Sequence, residues 1–166
     1  MKTVFCSIVL NEAEYIYQNL RQHYDYCDRW IIVEGADRRY PTDTVTADGL
    51  STDATADLIR SFPDPGGKIQ FVQHGWADNK EQLRSVYAEQ VPTTTQNVIV
   101  FDADEFLTHE HLCAVLSGLD YMPGPGAWQI PHIHFWKTPQ HIIKGGYFDV
   151  PHDRIYRWAP GCRYRA

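Results

Sequence analysis

The sequence predicts an α/β fold built around a mainly parallel β-sheet. Four apolar, β-branched runs begin near residues 3, 30, 68 and 97, and segments of helical periodicity separate them. Strands that alternate with helices are typical of βαβ crossovers, in which successive strands lie parallel. In such sheets ligands bind at the carboxyl ends of the strands. We therefore expect functional residues immediately after the predicted strands.

The first two-thirds of the chain contains these alternating elements. Asn11 is a candidate N-cap for the first helix, and Ser51 or Thr52 for the second. The predicted strands cover 3–10, 30–35, 68–75 and the start of 97–107, and the predicted helices cover 12–27, 51–62 and 79–90. The fourth run, VIVFDADEFL at 98–107, combines a strand with an acidic turn.

The pattern changes after Thr108. Residues 109–119 predict a short helix, and 127–138 and 141–150 predict two strands joined by a turn that contains proline. A boundary near residue 108 divides the chain into 1–108 and 109–166. The second part is too small to predict an independent domain, so we interpret the two parts as halves of one domain.

Composition excludes several classes of protein. The chain has 166 residues, of which 43% are hydrophobic and 22% charged, as expected for one globular domain. Its net charge of -6 argues against a nucleic-acid partner. No run approaches the roughly 18 apolar residues of a transmembrane segment. The four cysteines are widely spaced and match neither a zinc site nor a disulfide framework, which favours a cytoplasmic location.

Asp102 and Asp104 flank the small residue Ala103 at the end of the fourth predicted strand. If the backbone stays extended through Ala103, both carboxylates lie on one side of the chain. Such a pair suits a hard cation, because Mg²⁺ and Mn²⁺ take one or two carboxylates together with substrate phosphates. The alternative is a cluster of acids at a helix N-terminus, where negative charge is also favourable.

Five short segments resemble, in order, the glycosyltransferases of the GT-A fold, and in particular their family 2-like group with an Asp-X-Asp motif. These segments are SIVLNEAEYI, IIVEGAD, GLSTDAT, WADNKEQLRSVYAE and VIVFDADEFL, and together they cover roughly residues 3–107. The resemblance implies a three-layer Rossmann-like fold with a nucleotide-sugar-binding half at 1–108 and an acceptor-side half at 109–166. It also implies Mn²⁺ or Mg²⁺ as cofactor, a UDP- or GDP-sugar donor, and a carbohydrate or other hydroxyl acceptor.

The resemblance assigns roles to particular residues. Asp104 would ligate the metal directly, while Asp102 would contact the ribose or a metal-bound water and count with Asp104 as the metal site. Glu34 would contact the base or ribose, and Asn11 and Glu12 would meet the nucleotide in the first loop. For Asn11 and Glu12, the alternative interpretation, that they only cap the first helix, carries nearly equal weight.

Lys80 and Arg84 lie one helical turn apart and so share a face of the third predicted helix. They could reach the diphosphate, although a solvated face or a salt bridge is the commoner fate of such a pair. Arg154 and Arg157 could likewise lie near the diphosphate or be surface charges.

Transfer with inversion is expected because no covalent nucleophile is evident, and it requires a general base. The candidates are Asp149 and Asp153, although neither belongs to a clear motif. His132 and His134 alternate along a predicted strand, where sugar contacts or packing are favoured over transition-metal binding. The closing helices expected of a complete enzyme are missing, which suggests a chain truncated at its C-terminus.

Two other functions remain open. A nucleotidyltransferase also combines a Rossmann-like half with acids and metal, but it usually has a glycine-rich, basic loop where this chain has NEAE. A truncated or inactive domain could bind a nucleotide-sugar or carbohydrate without transferring the sugar.

Overall fold

The computed structural model describes residues 2–122, 124, 126–136, 138–146, 150–159 and 161–162. Its strands are β1 (Thr3–Val9), β2 (Arg29–Glu34), β3 (Ile69–Gln73), β4 (Asn97–Val100), β5 (Ala127–Ile130), β6 (His134–Trp136), β7 (Thr138–Ile143) and β8 (His152–Arg157). Its helices are α1 (Ile16–His23), α2 (Thr55–Ser61), α3 (Lys80–Gln90) and α4 (His109–Asp120).

A six-stranded sheet with the order β3-β2-β1-β4-β8-β5 forms the centre of the molecule. The β3-β2-β1-β4 part is parallel, whereas β8 runs antiparallel to both of its neighbours, β4 and β5. β6 and β7 form a separate antiparallel ribbon. The predicted α/β class and mainly parallel central sheet are therefore confirmed.

Helices cover both faces of the sheet. On one face, α1, α2 and α4 pack against Phe5, Trp30 and Ile99 through Leu20, Ile59 and Leu112, among others. On the other face, α3 packs Leu83 and Tyr87 against β-strand side chains that include Val4 and Val98. The buried, β-branched strands have the composition expected of a sheet that is covered on both sides.

Two predicted helix starts are wrong. α1 begins at Ile16 with Tyr15 as N-cap, because the Asn11 side chain binds another segment instead: its Oδ1 accepts from the Thr52 N–H at 2.8 Å. α2 begins at Thr55, where Asp53 Oδ1 accepts the backbone N–H at 3.0 Å. By contrast, α3 begins within one residue of the predicted start, and Asn79 is its N-cap, whose Oδ1 accepts from the Gln82 N–H at 2.9 Å.

The predicted strand over 127–138 is also wrong, because it divides into β5 and β6 around an irregular segment at 131–133. Pro131 lies in that segment and has no N–H to donate to a ladder. The second predicted strand, at 141–150, is shifted toward the N-terminus, since β7 ends at Ile143 and is followed by Gly145 and Gly146 with positive φ.

The chain after β2 packs closely against the chain after β3. A Cβ added to Gly35 would lie 2.4 Å from the Gly75 carbonyl oxygen, so only glycine allows this approach. This crossing joins the two loops at the carboxyl edge of the sheet. In the part of the chain that the structure describes, no helix combines the length and apolar character needed to cross a bilayer.

Candidate functional site

A cleft of about 250 Å³ lies at the carboxyl ends of β1, β2 and β4, with α3 along one side. Its charged lining comprises Glu12, Asp37, Asp102, Asp104, Lys80 and Arg84, and the other lining residues are Ile8, Leu10, Gly35, Tyr40, Leu83, Tyr87 and Val100. Four carboxylates thus face two basic side chains. The cleft therefore carries an excess of negative charge.

The acidic residues after β4 form a turn rather than a continued strand. The Glu105 N–H donates to the Asp102 carbonyl at 3.0 Å, so the backbone is not extended through Ala103 as expected. Ala103 is 2% exposed and packs in the core, whereas Asp102 and Asp104 are exposed. Burial of the small middle residue directs the two acids outward, and both still line the cleft.

The negative charge of this cleft contributes to a raised pKa of Glu12. Its pKa is raised from 4.5 to about 7, first by partial burial and then by repulsion from Asp104, Asp102 and Asp53, while Lys80 acts in the opposite direction. Like charges that share a site oppose further ionisation. A bound cation would remove this repulsion.

Arg154 on β8 contributes a cation to the acidic turn. Its guanidinium lies 2.7 Å from Asp102 Oδ2, and its Nε donates to both carboxylate oxygens of Glu105 at 3.1 and 3.0 Å. Glu105 Oε2 in turn accepts from the Asp102 N–H at 3.0 Å. Arg154 is therefore not a free surface charge, because it forms ion pairs with two acidic residues of the turn, Asp102 and Glu105.

The two basic residues predicted on the third helix both line the cleft. Lys80 is exposed at the first position of α3. Arg84 also forms a salt bridge with Glu81 at 3.5 Å, as the alternative interpretation expected, while its predicted contact with the diphosphate stays a prediction.

Asn11 and Glu34 lie beside the cleft lining rather than in it. Glu34 is fully buried, and its carboxylate accepts from the Ser51 N–H at 3.0 Å and from Gln73 Nε2 at 2.8 Å. Asn11 Nδ2 donates to the Thr44 carbonyl at 2.8 Å. Both side chains hold the 35–51 loop in place, and their predicted contacts with a nucleotide stay predictions.

Sequence reasoning missed two lining residues, Asp37 and Tyr40. Asp37 is buried and binds Arg39 through both carboxylate oxygens, and these hydrogen bonds lower its pKa. Asp37 also forms a parallel bridge to Ala77, which continues the edge of the sheet beyond Glu34. The available signal was the acid in GADRRY, two residues after the predicted end of the strand.

Of the two candidate general bases, Asp153 does not line the cleft. Asp153 is exposed, and strand alternation places it on the opposite face of β8 from Arg154. Asp149 lies outside the described residues. Their predicted catalytic role stays a prediction.

Three histidines cluster beside the acidic turn. The ring of His132 lies 6.0 Å from that of His134 and 4.9 Å from that of His152, and His132 Nε2 is 2.9 Å from Glu105 Oε1. His152 has a lowered pKa because of burial and the nearby Arg154 charge. Across the described part of the chain, however, no group of three or more histidine, cysteine or acidic side chains is positioned to hold a metal ion.

Comparison with known proteins finds no family model that matches this chain and no curated protein with significant similarity to it.

Proposed function

We propose that the chain binds a nucleotide diphosphate sugar together with Mn²⁺ or Mg²⁺ in this cleft and transfers the sugar to an acceptor hydroxyl, as a glycosyltransferase of GT-A type. The observation that supports the proposal is the meeting of Glu12, Asp102 and Asp104 opposite Lys80 and Arg84, at the carboxyl edge of a parallel sheet. This arrangement provides carboxylates that can bind a cation and positively charged side chains that can bind the phosphates accompanying it.

The acids suit a hard cation that retains open coordination positions. Asp104 and the Asp102 oxygen that Arg154 leaves open would hold it, with phosphate oxygens and water as further ligands. When bound, the ion stabilises the negative charge that develops on the leaving diphosphate. Glu12 lies close enough to both aspartates to feel their charge, so it adds to the negative potential that attracts the ion.

Residues of α3 and of the loop after β2 bind the remainder of the donor. Lys80 and Arg84 contact the diphosphate, whose charge a cation alone does not neutralise. Asp37 and Tyr40 form the nucleoside end of the cleft, where a carboxylate accepts from ribose hydroxyls and an aromatic ring stacks on a base.

A second candidate function is donor binding without transfer. The observation that favours it is the position of Asp153, which faces away from Arg154 and from the acidic turn. In that case the chain would retain a donor site and lack an acid placed to deprotonate an acceptor.

Isothermal titration calorimetry with UDP and with GDP, each in the presence and absence of Mn²⁺, tests the proposal. We expect one nucleotide to bind with a strong dependence on Mn²⁺. If neither nucleotide binds when the metal is present, the proposal fails. Incubation of the chain with matching nucleotide-sugars and an acceptor panel then separates transfer from binding alone.

A further inference from the structure

α1 carries two polar side chains that are completely buried, Asn19 and His23. They lie one helical turn apart and therefore share a face of the helix. A buried polar group costs free energy unless it is hydrogen-bonded. The partners of these side chains therefore indicate why polar residues occupy this face.

The partner of both residues is the acidic turn after β4. Asn19 Nδ2 donates to the Glu105 carbonyl at 2.6 Å and lies 3.5 Å from the Asp102 carbonyl. His23 Nε2 lies 3.2 Å from the Leu107 backbone nitrogen, and Gln22 Nε2 donates to the Leu107 carbonyl at 2.5 Å. The turn is thus held at both of its ends by one helix.

The contact with Asn19 favours one position for the proton of the neutral His23 ring. Because Asn19 uses its Nδ2 to reach Glu105, its Oδ1 faces His23 Nδ1 at 3.4 Å, and an amide oxygen only accepts. The Asn19 contact places the proton on Nδ1, and Nε2 then accepts from the Leu107 N–H at 3.2 Å; the opposite tautomer would instead donate from Nε2 to the Leu107 carbonyl at 3.3 Å. The ring also stacks on Phe101, with centroids 4.8 Å apart and planes inclined by 15°.

The same helix also holds Glu12. The Glu12 carbonyl accepts from the Ile16 N–H at 2.9 Å, at the first residue of α1, and the Glu12 N–H donates to Thr55 Oγ1 at 2.7 Å. The first-loop acid and the acidic turn are therefore both attached to α1, one at its N-terminal end and the other along its buried side. A single rigid helix links the acids of two different strand ends.

We propose that Asn19 and His23 are positioning residues that set the spacing of the acids in the cleft by anchoring the 102–107 turn to α1. This inference rests on the proposed function only in so far as the acids hold a cation. The anchoring itself follows from the contacts of Asn19 and His23 with Glu105 and Leu107. Through it, two side chains that do not line the cleft control metal affinity.

The test compares two substitutions of His23. His23→Leu removes both ring nitrogens, whereas His23→Gln keeps an oxygen that can accept from the Leu107 N–H. Gln18→Leu is the matched control, because Gln18 is exposed on the same helix. The readouts are the dissociation constant for Mn²⁺, measured with UDP and with GDP, and the hydrogen exchange of the Glu105 and Leu107 amides.

We expect His23→Leu to weaken Mn²⁺ binding by about tenfold or more, as other supports of metal ligands do, and to accelerate Leu107 exchange by about tenfold. His23→Gln should remain within about threefold of the wild type in both readouts, and Gln18→Leu should match the wild type. A purely structural role would lower the melting temperature of both His23 variants and leave the Mn²⁺ dissociation constant unchanged. That result, or unchanged protection of Leu107 in His23→Leu, overturns the proposal.

If His23→Leu does not fold, Gln22→Ala replaces it, since this change removes one hydrogen bond to the turn from a half-buried side chain. Weaker Mn²⁺ binding with faster Leu107 exchange supports the proposal, and no change in either contradicts it. If the wild type binds Mn²⁺ with neither UDP nor GDP, the proposed function fails. The exchange of Glu105 and Leu107 in the variants then still decides whether α1 anchors the turn.

Discussion

The guanidinium of Arg154 lies 2.7 Å from a carboxylate oxygen of Asp102, across a separation of 52 residues in the chain. The Arg154 side chain is 12% exposed and that of Asp102 is 52% exposed. β8 therefore supplies a resident cation to the turn that follows β4. Without ligand, this arginine neutralises part of the charge that a metal ion would otherwise meet.

Replacing Arg154 should have opposite effects on metal binding and on stability. In Arg154→Gln, Asp102 loses a competing cation, so we expect Mn²⁺ to bind about threefold to tenfold more tightly without nucleotide. Glu105, whose side chain is 17% exposed, loses a charged partner, which should cost about 2 kcal/mol of unfolding free energy. Mn²⁺ titration followed by electron paramagnetic resonance and urea unfolding measure the two effects.

Arg38→Gln is the control for this change. Arg38 pairs with Asp78 at 2.8 Å, but both side chains are largely exposed, so the pair should contribute less than about 1 kcal/mol. Equal stability losses in the two variants, or Mn²⁺ affinity that is unchanged in Arg154→Gln, would contradict the role given to Arg154.

Glu12 should make stability depend on pH. Its pKa in the folded chain is about 7, above the ordinary value of 4.5, so ionisation of Glu12 opposes folding as the pH rises through this interval. Glu12→Gln should therefore be more stable than the wild type at pH 8 and similar to it at pH 4. Urea unfolding at both pH values measures the difference.

Mn²⁺ should reduce the difference in unfolding free energy between Glu12→Gln and the wild type at pH 8, because the bound cation relieves the repulsion among the acids. Glu89→Gln, at an exposed position of α3 outside the cleft lining, is the control for the removal of one glutamate. A Glu12→Gln variant that is no more stable than the wild type at pH 8 would show that the acids do not repel one another in this way.

His23 should make the unfolding free energy depend on pH below about 6.5. Burial lowers its pKa below the ordinary 6.5, so the unfolded chain takes up a proton before the folded one. Its contribution to stability is therefore fully present above pH 6.5 and is lost as the pH falls from this value through the lower pKa of the folded chain. Between pH 7 and 5, urea unfolding should show a larger loss of unfolding free energy for the wild type than for His23→Gln, and equal losses would contradict a lowered pKa of His23 in the folded chain.

The close approach at Gly35 predicts a backbone-specific effect. In Gly35→Ala the new methyl group meets the Gly75 carbonyl oxygen, which should cost about 2 kcal/mol or more. Gly118 lies inside α4 with open space around it, so Gly118→Ala should instead stabilise the chain by about 0.5–1 kcal/mol. Thermal unfolding of the two variants distinguishes these outcomes, and a neutral Gly35→Ala would contradict the packing of the two loops.

Much of the sheet and of α3 could be predicted from sequence because their signals are local. β1 and β2 are continuous apolar runs, and Asn79 caps α3 through a residue three positions away. The N-cap predicted at Asn11 is wrong, because the Asn11 side chain accepts instead from the Thr52 N–H, 41 residues along the chain. Long-range partners override local preferences there.

In the candidate site, too, residues with a local sequence signal could be predicted and residues that depend on long-range contacts could not. Glu12, Asp102 and Asp104 were found because acids that follow apolar runs are visible in the sequence. Arg154 and His132 join the site through β8 and the segment before β6, and their pairing with Glu105 depends on strand order. No local pattern encodes that order.

The measurement that most directly tests the central claim is calorimetry of UDP and GDP with the wild type and Asp104→Asn, in the presence of Mn²⁺. Asp104→Asn keeps the shape of the side chain and removes the charge, so the fold should be retained. We predict Mn²⁺-dependent binding of one nucleotide by the wild type and a loss of at least about tenfold, or 1.4 kcal/mol, in Asp104→Asn. Equal Mn²⁺-dependent affinity in the two proteins, or no nucleotide binding by the wild type, would contradict the account.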